Sequence, residues 1–311
     1  MSGQSGKRQT LRHRQIEIEG LSIHAVEGGG SGRPAVLFLH GWPESWAAFE
    51  QILLGLAPDR HVVAVDLPGI GDSRNPPPSG DKRTLAKAVR GVIEALGLHD
   101  VTLVGHDVGG MIAYACLRIC PDALRRAVIM NVAIPAVAPW SEVKGNPHIW
   151  HFAFHAIPGL PEKLVAGRQA PYFDYFFETI AARPDAVSPN ARKTYAEAYS
   201  RPEALRCGFE WYRAFAQDEK DNQRDHGRPV ELPVLYLRGE KDPGLELDRY
   251  ADGLRQAGLR DVTGRIIAGS GHFAPDEQPE AVVAALRDFI CAGRDEFGGT
   301  SRKYLPANLQ A

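Results

Sequence analysis

The stretch Leu103-Val104-Gly105-His106-Asp107-Val108-Gly109-Gly110 reads as the end of a buried strand, a cramped turn and the start of a helix over residues 111–119. In such a small-x-nucleophile-x-small pattern, glycines let strand and helix approach so closely that the central side chain is thrust out alone. That side chain is Asp107. A carboxylate attacking an acyl carbon would give a mixed anhydride, whereas attack on a saturated carbon displaces a leaving group and leaves an ordinary ester. The turn therefore predicts substitution at an electrophilic sp3 carbon, of which epoxides and alkyl halides are the common kinds. Read alone, the same aspartate also fits a helix cap, so the surrounding chain must decide.

Outward from this turn, the flanking segments alternate in type. Residues 35–39 (Ala-Val-Leu-Phe-Leu) form a continuous apolar run, as in a strand covered on both faces, and lead into His40-Gly41-Trp42-Pro43 and an amphipathic helix over 44–56. Backbone N–H groups near Trp42 and at Val108 are placed to form an oxyanion hole. Residues 61–66 give another buried strand. The glycine-rich turn after it, 67–73, lacks the lysine of a phosphate cradle and reads as a structural turn. Leu85, Val89, Val92, Ile93 and Leu96 fall at helical spacing and stop at Gly97. Alternating strands and helices imply an α/β chain: a mostly parallel sheet wrapped by helices, with ligands above the carboxyl ends of the strands. Segments 15–19 and 21–27, split by Gly20, add an antiparallel hairpin at the edge.

After a strand at 127–131 the rhythm breaks. Residues 136–229 carry many aromatics, among them Trp150, Phe152, Phe176, Trp211 and Tyr212, with helical periodicity and no convincing strand. This predicts an inserted helical cap that shuts out water and lines an apolar pocket. Strand character resumes at 233–239 and is followed by Asp242. A helix at 245–256, a strand at 262–268, the loop Gly271-His272-Phe273 and a last helix at 280–290 complete the pattern.

Size and charge narrow the classes. With 311 residues, 44% hydrophobic content and a net charge of −2, the chain suits one large domain plus an insertion, and it offers no basic face for nucleic acid. The longest apolar run, 127–140, is interrupted by Asn131, Pro135 and Pro139 and is too short for a membrane span. Residues 1–14 read as a flexible basic leader without a secretory h-region, and 293–311 as a C-terminal tail that could pack, swap or wander, with homodimerisation left open. Between them lie a core of 15–135 and 230–292 and the cap, 136–229. Cys116, Cys120, Cys207 and Cys291 show no C-x-x-C spacing and read as small buried hydrophobes, which fits a reducing cytoplasm. His148, His151 and His155 could share a helix face but have no acidic or cysteine partner nearby, so neither a metal nor a cofactor is expected.

Asp107, Asp242 and His272 each follow a predicted strand, in the chain order nucleophile, acid, histidine. With the His40-Gly-Trp-Pro loop, the elbow, the insertion and the closing Gly271-His272, the sequence from 15 to 290 resembles the epoxide hydrolase and haloalkane dehalogenase branch of the alpha/beta-hydrolase superfamily. The resemblance implies that Asp107 opens the substrate to form an ester, which is then hydrolysed by water deprotonated by His272. Asp242 would orient the imidazole and stabilise its charged form. In part of this branch the acid instead follows the strand after the elbow, but Asn131 fills that place here. Asp248, Asp252 and Asp276 read more simply as solvated or capping carboxylates.

The lid discriminates between substrates, because an opened epoxide keeps its oxygen and needs hydrogen-bond donors to it. Ile149-Trp150-His151-Phe152 and Phe209-Glu210-Trp211-Tyr212-Arg213 resemble lid segments of the Cif-like epoxide hydrolases, in which a His/Tyr pair replaces two tyrosines. This resemblance assigns the donors to His151 and Tyr212, with His155 a helical neighbour of the former. Val108 stands where many haloalkane dehalogenases carry a halide-binding tryptophan, and neither Val108 nor Met111 offers the arginine with which fluoroacetate dehalogenases grip a carboxylate. The expected activity is hydrolysis of a small apolar epoxide. The alternatives are a haloalkane or haloacid dehalogenase and a non-catalytic binding protein on the same fold.

Overall fold

A computed structural model describes residues 10–292. The tail 293–311 and the leader up to residue 9 lie outside the described residues. Eight strands form one sheet in the order β1-β2-β4-β3-β5-β6-β7-β8. These are β1 (Arg12–Ile18), β2 (Leu21–Gly28), β3 (Ala35–Leu39), β4 (His61–Val65), β5 (Thr102–His106), β6 (Arg126–Met130), β7 (Val234–Gly239) and β8 (Val262–Ile267). The hairpin β1–β2 and its seam with β4 are antiparallel, and every later pairing is parallel.

Every residue of β3, β4, β5 and β6 is buried, which is why these strands read as unbroken apolar runs rather than alternations. Their side chains still sort by face. Leu37, Leu39, Leu103 and Ile129 join the core shared with helices Lys82–Ala95 and Val108–Ile119, while Val36, Phe38, Val104 and Val128 pack against Glu50–Leu56 and Pro279–Cys291. Helix Lys82–Ala95 starts where Asp81 accepts the Thr84 N–H at 2.9 Å. Its Leu85, Val89, Val92 and Ile93 face inward.

Between β6 and β7 the described chain holds helices and no strand, the longer ones being Gln169–Ile180, Pro189–Ala198, Pro202–Arg213 and Phe215–Arg224. Phe173, Phe177, Tyr195, Tyr199, Phe209 and Trp211 are fully buried there, each contributing on the order of 1.5–3 kcal/mol by leaving water. Polar ties pin these helices to the sheet layer. Lys82 meets Asp218 at 2.9 Å, Arg201 donates to the carbonyls of Gly69, Gly71 and Ser73, and Asn222 donates to Pro135 O at 2.9 Å.

The structure departs from the sequence reading at four places. β1 begins at Arg12, inside the expected leader, because Arg12, His13 and Arg14 pair in register with Glu27, Val26 and Ala25 across the hairpin. The single helix expected at 44–56 divides into a 3-10 turn, Trp46–Phe49, and helix Glu50–Leu56, leaving Glu44 turned inward and fully buried. Cys116, Cys120 and Cys207 are buried as expected, but Cys291 is exposed at the end of its helix. Asp276, expected as a solvated or capping carboxylate, accepts the Tyr195 O–H at 3.0 Å. Among the described residues, no helix is long and apolar enough to cross a membrane, and no cluster of three metal-ligating side chains occurs.

Candidate active site

Asp107 sits between β5 and helix Val108–Ile119 with φ 50° and ψ −122°, a conformation costly for any residue with a Cβ. The surroundings enforce it. Its N–H donates to Met130 O at 3.0 Å, and its carbonyl accepts from Gly110 N at 2.8 Å. A Cβ on Gly105 would lie 2.1 Å from Gly109 O, and one on Gly109 would lie 2.1 Å from Leu39 O, so only glycines allow the strand and helix to meet here.

The two carboxylate oxygens of Asp107 have different surroundings. Oδ1 accepts the Trp42 N–H at 2.9 Å, while Oδ2 faces His272 Nε2 at 3.8 Å. Val108 opens the helix, so its N–H has no acceptor within it. The expected pair of backbone donors thus flanks Asp107, one of them already on the carboxylate.

On its other side, His272 Nδ1 lies 3.1 Å from Asp242 Oδ1. An ionised carboxylate only accepts, so Nδ1 carries a proton, and Nε2 is the nitrogen that faces Asp107. Asp242 is itself fixed by Arg238, which donates to Oδ2 at 2.8 Å and to the backbone carbonyl at 2.9 Å, with its guanidinium 4.6 Å above the Tyr250 ring. The histidine's backbone is held as well: its N–H donates to Ile180 O at 3.0 Å, and its carbonyl accepts from His106 Nε2 at 2.8 Å.

His106 was not singled out in the sequence. Its Nδ1 lies 2.7 Å from Glu44 Oε2, and neither side chain is exposed. Both of its partners are acceptors, so both ring nitrogens donate and the ring is an imidazolium. Burial opposes that charge, but the charge and hydrogen bond of Glu44 outweigh it and raise the pKa to about 9. Asn131 stood in the sequence as a break in an apolar run and as the place of an absent carboxylate. Its Nδ2 donates to Gly271 O at 3.2 Å, beside His272. A glycine-flanked histidine next to the nucleophile was the available signal for His106; nothing local marked Glu44.

Asp107, Asp242 and His272 share a cavity of about 100 Å³ with His151 and Tyr212, otherwise walled mainly by apolar side chains including Ile149, Phe152, Phe176 and Ile180. The His151 and Tyr212 rings stand 5.8 Å apart. Burial, then the nearby His272 charge, pulls His151 down to about 3, so its imidazole is neutral at ordinary pH. Burial, then the Asp107 charge, holds the Tyr212 phenol well above its usual range, so it keeps its proton. His155, one turn beyond His151, lies 4.4 Å from the Tyr212 ring but outside the cavity wall, its Nε2 engaged with the Tyr172 hydroxyl at 2.7 Å. Arg238 is the arginine in the wall, and Asp242 already occupies it.

Comparison with known proteins gives a consistent placement. The family described as "alpha/beta hydrolase fold" matches residues 34–279. The soluble epoxide hydrolase of Corynebacterium sp. (strain C12) is 30% identical over 286 residues, 90% of this chain and 97% of that protein. A fluoroacetate dehalogenase of Burkholderia sp is 27% identical over 307 residues, 94% of this chain and 98% of that one. Among solved structures, Cfl2 of Burkholderia cenocepacia superposes with a TM-score of 0.83 at 34% identity, covering 90% of this chain and 96% of its own. The Cif epoxide hydrolase of Acinetobacter nosocomialis gives 0.81 at 28%, covering 90% and 88%.

Proposed function

Because this chain belongs to the alpha/beta-hydrolase fold family, in the branch that holds the epoxide hydrolases, we propose that it converts a small neutral epoxide to a vicinal diol through an ester on Asp107. The observation that carries this reading is the division of labour on one carboxylate. Oδ1 is tethered to the Trp42 N–H, Oδ2 faces His272, and Asp107 lines the cavity.

In the first step Oδ2 attacks an epoxide carbon, the ring C–O bond breaks, and the released oxygen takes the Tyr212 proton while accepting a hydrogen bond from neutral His151. In the second step His272 takes a proton from water, whose oxygen attacks the carboxyl carbon of Asp107. The resulting oxyanion forms on Oδ1, against the N–H groups of Trp42 and Val108. Collapse expels the diol. One proton of the water ends on its second hydroxyl, and the other returns to Tyr212. Asp242, held by Arg238, stabilises the imidazolium between these events.

In this reading residues 136–229 act as the cap over a core of 15–135 and 230–292. The cavity, about 100 Å³, is smaller than the roughly 300 Å³ at which ordinary ligand pockets begin, which favours short epoxides. The occupied Arg238 leaves no evident grip for a haloacid carboxylate. Buried free cysteines fit the cytoplasm as the compartment.

The test presents 1,2-epoxybutane, styrene oxide, 1-chlorobutane and fluoroacetate to the wild type and to His272→Gln, following diol, halide and the mass of the Asp107 peptide. We expect diol from the small epoxide and a trapped ester in the variant. Halide release without diol would replace this reading with dehalogenation, and no ester from any substrate would leave a binding protein.

A further inference from the structure

The loop that carries His272 is bonded to the inserted helices as well as to the sheet. Glu277, 2% exposed in the short helix Ala274–Glu277, gathers these bonds on one carboxylate. Its Oε1 accepts the N–H groups of Gly271 and Phe273, each at 3.0 Å, on either side of the histidine. Its Oε2 accepts those of Ala182 at 2.8 Å and Arg183 at 2.9 Å, just past the end of helix Gln169–Ile180. Arg183 returns a bond from its guanidinium to Glu277 O at 3.2 Å. The approach is tight: a Cβ on Gly271 would lie 2.4 Å from Ala182 N and 2.6 Å from Ile180 O.

We propose that Glu277 is a positioning residue that couples the seating of the inserted helices to the aim of His272. The inference rests on the reading above and adds a linkage to it. The carboxylate cannot hold both loop amides and both insertion amides unless the two segments lie side by side. The His272 N–H adds to this arrangement, since its acceptor, Ile180 O, belongs to the same inserted segment. If the segment of 180–183 moves away, the base therefore loses an anchor on its own amide and the alignment of both neighbours. Ester formation uses Asp107, Tyr212 and His151 and does not need a correctly aimed His272, whereas ester hydrolysis does. Coupling thus acts on the second step.

Glu277→Gln removes the charge and turns an N–H donor toward amides that can only donate; Glu277→Asp keeps the charge but shortens its reach. With 1,2-epoxybutane in rapid-quench mass spectrometry, we expect the Asp107 ester to form at the wild-type rate in both variants. It should decay about 10- to 100-fold more slowly in Glu277→Gln, the size of loss expected when hydrogen bonds to a charged acceptor are removed, and by less in Glu277→Asp. Wild-type decay in Glu277→Gln, or equal slowing of both steps, would overturn the coupling. An ester that accumulates in His272→Gln but not in Glu277→Gln defeats this inference alone, whereas no ester in either defeats the proposed reaction and the coupling with it. Should neither Glu277 variant fold, hydrogen exchange on the wild type decides. A common opening rate for the amides of Gly271, Phe273, Ala182 and Arg183 supports the coupling, and separate rates refute it.

Discussion

Replacing Glu44 by glutamine should erase a pH dependence of stability while leaving the site's geometry intact. In the wild type, the Glu44 carboxylate keeps His106 charged to about pH 9, against an ordinary 6.5. A folded-state pKa above the unfolded value gives stabilisation that is complete below pH 6.5 and lost as pH rises through 9. At 1.36 kcal/mol per pH unit of separation, the amount at stake is about 3 kcal/mol. Glu44 has the opposite sign. Burial raises its pKa, but the charge and hydrogen bond of His106 outweigh this and hold it below 4.5, so its contribution is present above pH 4.5 and fades in acid.

In Glu44→Gln, burial favours the neutral ring. Nε2–H continues to donate to the His272 carbonyl, and the Nδ1 lone pair accepts from the new amide. Urea denaturation of both proteins from pH 6 to 9.5 reads the result. The wild type's advantage should shrink by about 3 kcal/mol across this range, and the variant should retain ester hydrolysis. A constant difference between the two curves would mean that His106 is not charged in the folded protein, and the reasoning from its two acceptors would be refuted.

Tyr212→Phe removes a donor to the developing alkoxide, and loss of one such donor slows the step it serves by roughly 10²- to 10³-fold. Ester formation should fall by that factor while hydrolysis of ester already formed is unchanged, and equal slowing of both would reassign the phenol. Gly109→Ala drives a methyl group to 2.1 Å from Leu39 O, a backbone clash worth on the order of 3 kcal/mol. A wild-type denaturation midpoint in that variant would show that strand and helix do not meet as closely as described.

Much of the sheet was legible because burial on both faces leaves a local mark. β3, β4, β5 and β6 read as apolar runs, and the glycines around Asp107 announced a turn too tight for a side chain. Asp107, Asp242 and His272 could be nominated because each lies in the loop past the carboxyl end of a strand of the parallel sheet, where side chains converge. What the sequence concealed depends on contacts between distant segments. Glu44 looks like the first polar residue of a helix until His106, 62 positions later, closes on it. Glu277 looks like a first-turn acidic residue, and its two amide partners in the insertion lie 94 and 95 positions upstream. The early start of β1 has the same cause, since residues 12–14 become strand only because 25–27 lie opposite.

The unequal environments of the Asp107 oxygens have a consequence for the lineage of atoms through the proposed cycle. Oδ2 leaves with each diol, a solvent oxygen takes its place, and that newcomer departs in the following turnover. Oδ1, retained by the Trp42 N–H, serves only as the carbonyl of the ester and stays with the protein. In heavy-oxygen water, Asp107 should therefore gain a single isotopic mass increment however long the reaction runs, and the first diol from each molecule should be unlabelled in its enzyme-derived hydroxyl.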